Sequence, residues 1–128
     1  MSGSSIETYG KELILDLHGC DERKFTRRSI KQFFEELCRL IDMERCDLHF
    51  WDDVGAPEGE CQTNPKTKGT SAVQFILTST IVIHTLELMK SAYVNIFSCK
   101  EFDTTAAEQF AVDWFCSEQH TATCVERK

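Results

Sequence analysis

A chain of 128 residues with 41% hydrophobic and 27% charged positions has the balance of a folded globular domain, which excludes wholesale disorder. Its 14 Lys and Arg against 21 Asp and Glu leave a formal charge of -7. Such a surface repels phosphate and excludes duplex nucleic acid and anionic membrane as natural partners, whereas a cationic or zwitterionic small molecule meets no such barrier.

Taken in chain order, residues 1–9 are read as a disordered end; MSGSSIETYG has neither a basic flank nor an apolar segment, so no export signal is visible and a cytoplasmic protein is expected. Residues 12–17 (ELILDL) predict a strand, closed by His18-Gly19-Cys20. Over 26–41 the apolar residues Ile30, Phe33, Phe34, Leu37, Leu40 and Ile41 recur at helical spacing, with Asp21 or Thr26 as N-cap. Residues 46–51 (CDLHFW) predict a second strand. Residues 52–69, rich in Gly, Pro, Asn, Asp and Lys, predict a long loop of the kind used as a lid or mobile segment. Three β-rich runs follow: 71–77 and 80–86, which meet at Thr78-Ser79, and 92–98 after Met89-Lys90-Ser91. Residues 104–118 predict a second helix with Ala107, Phe110, Ala111, Trp114 and Phe115 facing inward and Asp103 or Thr104 as cap. Residues 121–126 (TATCVE) alternate as a last strand.

The order β-α-β, β-β-β, α-β predicts one α+β domain over 1–128, a two-layer α/β sandwich with a mostly antiparallel sheet and two helices on one face. The most apolar stretch, 73–89, is interrupted by Gln74, Thr78, Ser79, Thr80, His84 and Glu87 and does not read as a membrane span. The seven cysteines are odd in number and show no CxxC pair or Cys/His cluster at zinc-ligand spacing. No metal site is expected, and most thiols are expected to be free and buried as small apolar groups.

No Gly-rich phosphate loop, HExxH, GxSxG or paired-carboxylate motif is present. Polar residues inside the β runs stand out instead: Ser71, Thr78, Ser79, Thr80, His84, Asn95 and Cys99. A hydroxyl, an imidazole and a thiol on neighbouring strands are a nucleophile, a proton shuttle and an acid. The same residues also fit a structural reading, with His84 a hydrogen-bonded core imidazole and Cys99 a packed thiol.

Residues 71–85 (SAVQFILTSTIVIHT), followed by 94–99 (VNIFSC), resemble the core of the prokaryotic S-adenosylmethionine decarboxylases. Those self-cleaving enzymes carry the pattern GxSGxxxxSESHxxIHTWPE, then DxFTC. Here Gly69-Thr70-Ser71 fits GxS, Ile83-His84-Thr85 fits IHT and Phe97-Ser98-Cys99 fits FTC, and Ser71, Ser79, His84 and Cys99 keep the family's spacing without gaps. Residues 10–20 (GKELILDLHGC) are similar to the family's opening strand, and 103–125 to its closing helix and strand.

The resemblance implies that Ser79 is the precursor of a self-derived pyruvoyl group, the chain being cut between Thr78 and Ser79. It implies that His84 and Ser71 assist processing by moving protons and holding the carbonyl, and that Cys99 is the proton donor in decarboxylation. A pyruvoyl carbonyl forms a Schiff base with a substrate's α-amine and is an electron sink as CO2 departs. The resemblance further implies a homodimer of cleaved protomers and a place in polyamine (spermidine) biosynthesis.

This chain also departs from the pattern. Thr78 and Thr80 stand where the family has Glu and His around the serine. The HTWPE segment is His84-Thr85-Leu86-Glu87-Leu88, without the Trp and with its Glu one position early, and Asn95 replaces the Asp before FTC. Glu87 and Asn95 are the substrate-binding candidates. The residues that make the pyruvoyl group are kept better than the adenosyl pocket, and a pocket without its hydrogen-bond acceptor discriminates poorly for the old ligand. S-adenosylmethionine is the default substrate; a basic amino acid such as ornithine or arginine, or a non-catalytic regulatory role, are the alternatives.

Overall fold

The computed structural model describes residues 6–128; residues 1–5 of the predicted disordered end lie outside the described residues. Residues 6–9 are exposed, and the Tyr9 N–H bonds the Arg127 carbonyl at 2.7 Å. Six strands follow: β1 (Gly10–His18), β2 (Arg45–Trp51), β3 (Gly69–Ile76), β4 (Ser79–Leu86), β5 (Ser91–Ser98) and β6 (Gln119–Arg127). They form one sheet in the order β2-β3-β4-β5-β1-β6, every pairing antiparallel. Two helices, α1 (Arg27–Leu40) and α2 (Thr104–Phe115), cover one face, which gives the α+β sandwich expected from the sequence. Among the described residues no helix is long and apolar enough to cross a membrane.

Strand alternation builds the core. Leu13, Leu15 and Leu17 of β1, Ile81 and Ile83 of β4, and Val94 and Ile96 of β5 point to the helix side and are buried. Against them α1 sets Ile30, Phe33, Phe34 and Leu37, and α2 sets Ala107, Ala111 and Phe115. The two alanines let α2 lie close, and Phe33 packs against the rings of Phe34, Phe110, Trp114 and Phe115. The opposite face, carrying Ile14, Val73, Phe75, Val82, Tyr93 and Phe97, has no covering layer among the described residues.

The element ends follow from caps. Thr26 accepts the Ser29 N–H at 3.1 Å and starts α1, whereas Asp21 caps a separate 3-10 turn, Glu22–Lys24. Leu40, expected inside, is 50% exposed: the helix ends there, and Cys38 and Ile41 fill the core instead. Asp103 accepts the Ala106 N–H at 3.0 Å, so Thr104 is the first helical residue of α2. That helix stops three residues short of the predicted 118. Cys116 takes a left-handed φ of 52°, and the Ser117 N–H closes on the Val112 carbonyl at 3.0 Å, a Schellman ending.

All seven cysteines are free, but only Cys20 and Cys38 are buried, which corrects the expectation that most are. Burial pushes both thiols up to about 11. Cys46 and Cys124 lie exposed on the edge strands β2 and β6, where no second layer covers them, while Cys116 and Cys99 lie exposed just past α2 and β5.

The 52–69 loop is tied down at both ends. Asp52 receives both the Nε and an Nη of Arg27, at 2.7 and 2.6 Å, and Asp53 accepts the Gln62 N–H at 2.7 Å. Gly69 ends it, because a Cβ there would meet the Thr85 carbonyl oxygen at 1.7 Å. The Arg27 guanidinium holds the Asp52 carboxyl below its usual range. A carboxylate whose pKa is depressed by folding stabilises above its unfolded pKa, and this contribution fades as the pH falls through the folded pKa. Asp52→Asn is therefore expected to lower stability at pH 7 by no more than about 1 kcal/mol, because the Arg27 half of the pair is 46% exposed and screened by solvent. Urea melts of both proteins should converge only as the pH falls below that depressed folded pKa, where the carboxyl is protonated in both states.

Candidate active site

The β3–β4 hairpin turns through Leu77 and Thr78, with Ile76 paired to Ser79 at its base. Thr78 has a φ of 53° and occupies the second turn position, one that usually takes Gly or Asn. A β-branched residue in that left-handed conformation is strained by about 1–2 kcal/mol, so the Thr78–Ser79 peptide bond follows a loaded residue. Ser79 is 5% exposed, and its hydroxyl donates to Ser98 Oγ at 3.0 Å; that oxygen in turn accepts the Lys100 N–H at 3.0 Å.

Strand register sets the thiol beside the turn. Thr80 lies opposite Phe97, so the chain leaving β5 brings Cys99 level with Thr78. Thr78 Oγ1 donates to the Leu77 carbonyl at 2.7 Å and lies 3.5 Å from Cys99 Sγ. The hydroxyls of Thr78 and then Tyr9 hold the Cys99 thiol below its ordinary value. The Tyr9 ring is stacked on Phe97, with centroids 6.2 Å apart. A cavity of about 410 Å3 opens on this corner, walled by Asp42, Met43 and Glu44 from the α1–β2 connection and by Ser79, Cys99 and Lys100. Lys100 Nζ reaches the Asp42 carboxylate at 3.0 Å.

Ser71 and His84 form a second cluster. They face each other across β3 and β4 on the uncovered side of the sheet, with Ser71 Oγ 2.7 Å from His84 Nδ1. Ser79 and His84 sit five residues apart on β4, so their side chains leave opposite faces and lie about 16 Å apart along the strand. The one cluster suggested by sequence spacing is thus two: Ser79 with Cys99, and Ser71 with His84.

Glu87 and Asn95 lie elsewhere. Glu87, in the β4–β5 turn, is 3.9 Å from Lys68 Nζ and borders a cleft of about 550 Å3 with Arg27, Arg28 and Asp52. Asn95 Nδ2 donates to Glu12 Oε2 at 2.7 Å on the uncovered face. Neither lines the cavity beside Ser79. Sequence reasoning left Thr78 and Ser98 without partners in the folded chain and missed Tyr9 and the 42–44 segment. Ser98 stands inside the Phe97-Ser98-Cys99 match and carried a signal; residues 42–44 carry none.

The family description "S-adenosylmethionine decarboxylase" matches residues 11–128. Among curated proteins the chain is 24% identical over 120 residues, 92% of its length and 84% of the relative's, to the arginine decarboxylase proenzyme of Pyrobaculum arsenaticum. In fold it is similar to the adenosylmethionine decarboxylase of Aquifex aeolicus, with a TM-score of 0.74 and 19% identity over 95% of this chain and 92% of that one. A match running from β1 through β6, on a sheet whose register sets a buried serine and a thiol at one hairpin end, makes this chain a member of the S-adenosylmethionine decarboxylase family, decarboxylases that take a pyruvoyl group from a serine of their own.

Proposed function

We propose that this chain cuts itself between Thr78 and Ser79 and uses the new terminus of residues 79–128 to decarboxylate a basic amino acid. The observation that carries the reading is the buried Ser79 hydroxyl, held by Ser98 directly after a left-handed threonine and on the wall of a cavity shared with Cys99.

The hydroxyl is adjacent to the bond it must break. Ser79 Oγ bonds to the Thr78 carbonyl carbon and passes its proton to the departing nitrogen, so the amide becomes an ester. Loss of the Ser79 α-proton then expels the Thr78 carboxylate, and water replaces the nitrogen, released as ammonia. The residues present fit the group so made: its precursor already lines the cavity, and hydroxyls and a thiol surround it. The pyruvoyl carbonyl supplies the electron sink for loss of CO2. Cys99 then returns a proton to the substrate carbon, which needs the neutral thiol.

The substrate reading rests on what is missing and what is near. Trp and Glu of the adenosyl-binding pattern are replaced by Leu86 and Leu88, Glu87 is directed to Lys68, and Glu44 borders the cavity beside the paired Asp42 and Lys100. The arginine decarboxylase proenzyme among the relatives supports the same choice. S-adenosylmethionine is the second reading, favoured by family membership. Mass spectrometry of the purified protein should show two fragments, with CO2 released from arginine or ornithine faster than from S-adenosylmethionine or lysine. A chain that stays whole and releases no CO2 would overturn both readings in favour of a non-catalytic role.

A homodimer explains the split site. Ser71 and His84 are about 16 Å from the bond of their own chain but lie on the sheet face that a second copy is free to cover. The partner's His84 then serves Ser79. Co-expressing His84→Ala with Ser79→Ala tests this: neither variant alone yields fragments, whereas the mixture contains one complete site and is expected to cut the His84→Ala chain.

A further inference from the structure

We infer that Gln74 is a positioning residue: by clamping a bulge in β2 it sets Glu44, and not Arg45, on the wall of the cavity shared by Ser79 and Cys99, and so makes that wall select a substrate with a cationic side chain. The inference deepens the basic-substrate reading above and rests on it.

The device lies in the strand register. Arg45 pairs with Ile76 and Leu48 with Gln74, so Cys46 and Asp47 together oppose Phe75 and β2 carries one extra residue. Gln74 closes this bulge. Its Nε2 lies 3.1 Å from the Cys46 carbonyl oxygen, 3.2 Å from that of Asp47 and 2.9 Å from that of Phe75, so the two amide protons serve the carbonyls of the irregular step. Leu48 is fixed against the core. Paired one for one from there, Cys46 would stand opposite Ile76 and Arg45 would turn to the other face, because a shift of one residue exchanges the faces of a strand. With the bulge, Arg45 lies on the helix side and reaches Glu35 of α1 at 3.4 Å, while Glu44 walls the cavity with Asp42 and Met43. Lys100, the base of that wall, is taken by Asp42 at 3.0 Å, which leaves Glu44 as the uncompensated charge among the described residues of the wall.

The burial of Gln74 points the same way. The residue is fully buried, with Ala72 and Ile76 beside it on β3 and Ile81 opposite on β4. Its Oε1 is buried without a hydrogen-bond partner among the described residues. A leucine or methionine would fill this place in the core without orphaning an oxygen, so the amide is kept at a cost in stability. A local rule broken beside a functional site points to a role for the side chain, and the carbonyls of the bulge are what this side chain serves. Both strands belong to residues 1–78, and none of these contacts includes Leu77 or Thr78 of the turn, so cutting the turn leaves the clamp in place.

The test reads the charge of the wall without substrate. Cys99 in the uncut Ser79→Ala chain is labelled with a cationic and with an anionic methanethiosulfonate of similar size, and the ratio of the two rates is followed by peptide mass spectrometry. The parent chain is expected to favour the cationic reagent. Gln74→Met removes the clamp at nearly constant volume; Arg45 then turns to the cavity, and the ratio is expected to fall by about tenfold. Deleting Cys46 in the Gln74→Met chain removes the extra residue, keeps Arg45 opposite Ile76 without a clamp and is expected to restore the ratio, a rescue that a merely stabilising role of Gln74 would not allow. In the otherwise wild-type chain Gln74→Met is expected to raise KM for arginine about tenfold with little change in kcat, and the deletion to bring it back. Cys20 and Cys38, both buried, stay unlabelled in a folded chain, and Gln74→Leu replaces Gln74→Met should the latter fail this control. An unchanged ratio in Gln74→Met, or a deletion that restores nothing, overturns the inference; a ratio that moves while KM does not overturns its link to substrate choice. A wild-type protein that neither cuts nor releases CO2 would count against the decarboxylase reading, and the labelling ratio alone decides the clamp.

Discussion

Ser79→Ala is expected to leave a single chain of 14.7 kDa where the wild-type protein yields residues 1–78 and 79–128, and to abolish CO2 release from every amino substrate. The effect is all-or-none because no other hydroxyl is placed to substitute. Ser98 Oγ is 3.0 Å from Ser79 Oγ but belongs to a neighbouring strand, and Thr78 Oγ1 is committed to the Leu77 carbonyl. Removing the hydroxyl also leaves the strained φ of Thr78 in place, so the variant separates chemistry from strain: a loaded peptide bond without its nucleophile stays intact. Intact mass under denaturing conditions decides the matter within one measurement. A Ser79→Ala chain that still splits before residue 79 refutes the assignment.

Cys99→Ala has the second-largest expected effect, and on a different step. The variant is expected to cut normally, since Ser79 and its Ser98 partner are untouched, but to turn over at least about 100-fold more slowly for want of a positioned acid. KM should change little. The pH dependence supplies a signature. The donor must be protonated, so wild-type kcat falls as the pH rises through the thiol pKa, which the Thr78 and Tyr9 hydroxyls hold below its ordinary value. That falling limb should vanish in Cys99→Ala. Turnover at the wild-type rate with the limb intact would remove Cys99 from the mechanism.

The parts of the fold that were legible in the sequence are those governed by local rules. The β1 run declared itself by alternation and α1 by its spacing from Ile30 to Leu37, while each helix cap was narrowed to two residues, of which Thr26 and Asp103 are the ones used. The errors lie where a distant neighbour decides. α2 ends at Phe115 because Cys116 enters the left-handed region, and Leu40 and the exposed cysteines depend on where the helical layer stops.

The candidate site divides along the same line. The amino-acid order alone determined that Ser71 and His84 would lie on the two strands of one hairpin; the turn, expected at Thr78-Ser79, falls at Leu77-Thr78 and so sets Ser71 against His84 rather than Leu86. It likewise determined that Thr78 would lie in that turn, whereas Ser79, expected in the turn as well, is the first residue of β4. Tertiary structure decided which of the two faces is buried, that Cys99 meets Thr78 and that residues 42–44 wall the cavity. Those outcomes depend on which side of the sheet the helices cover and on how β5 and the α1–β2 connection are brought to the hairpin end. Pairing within a hairpin is a short-range property of its residues, whereas the choice of buried face is a property of the whole core.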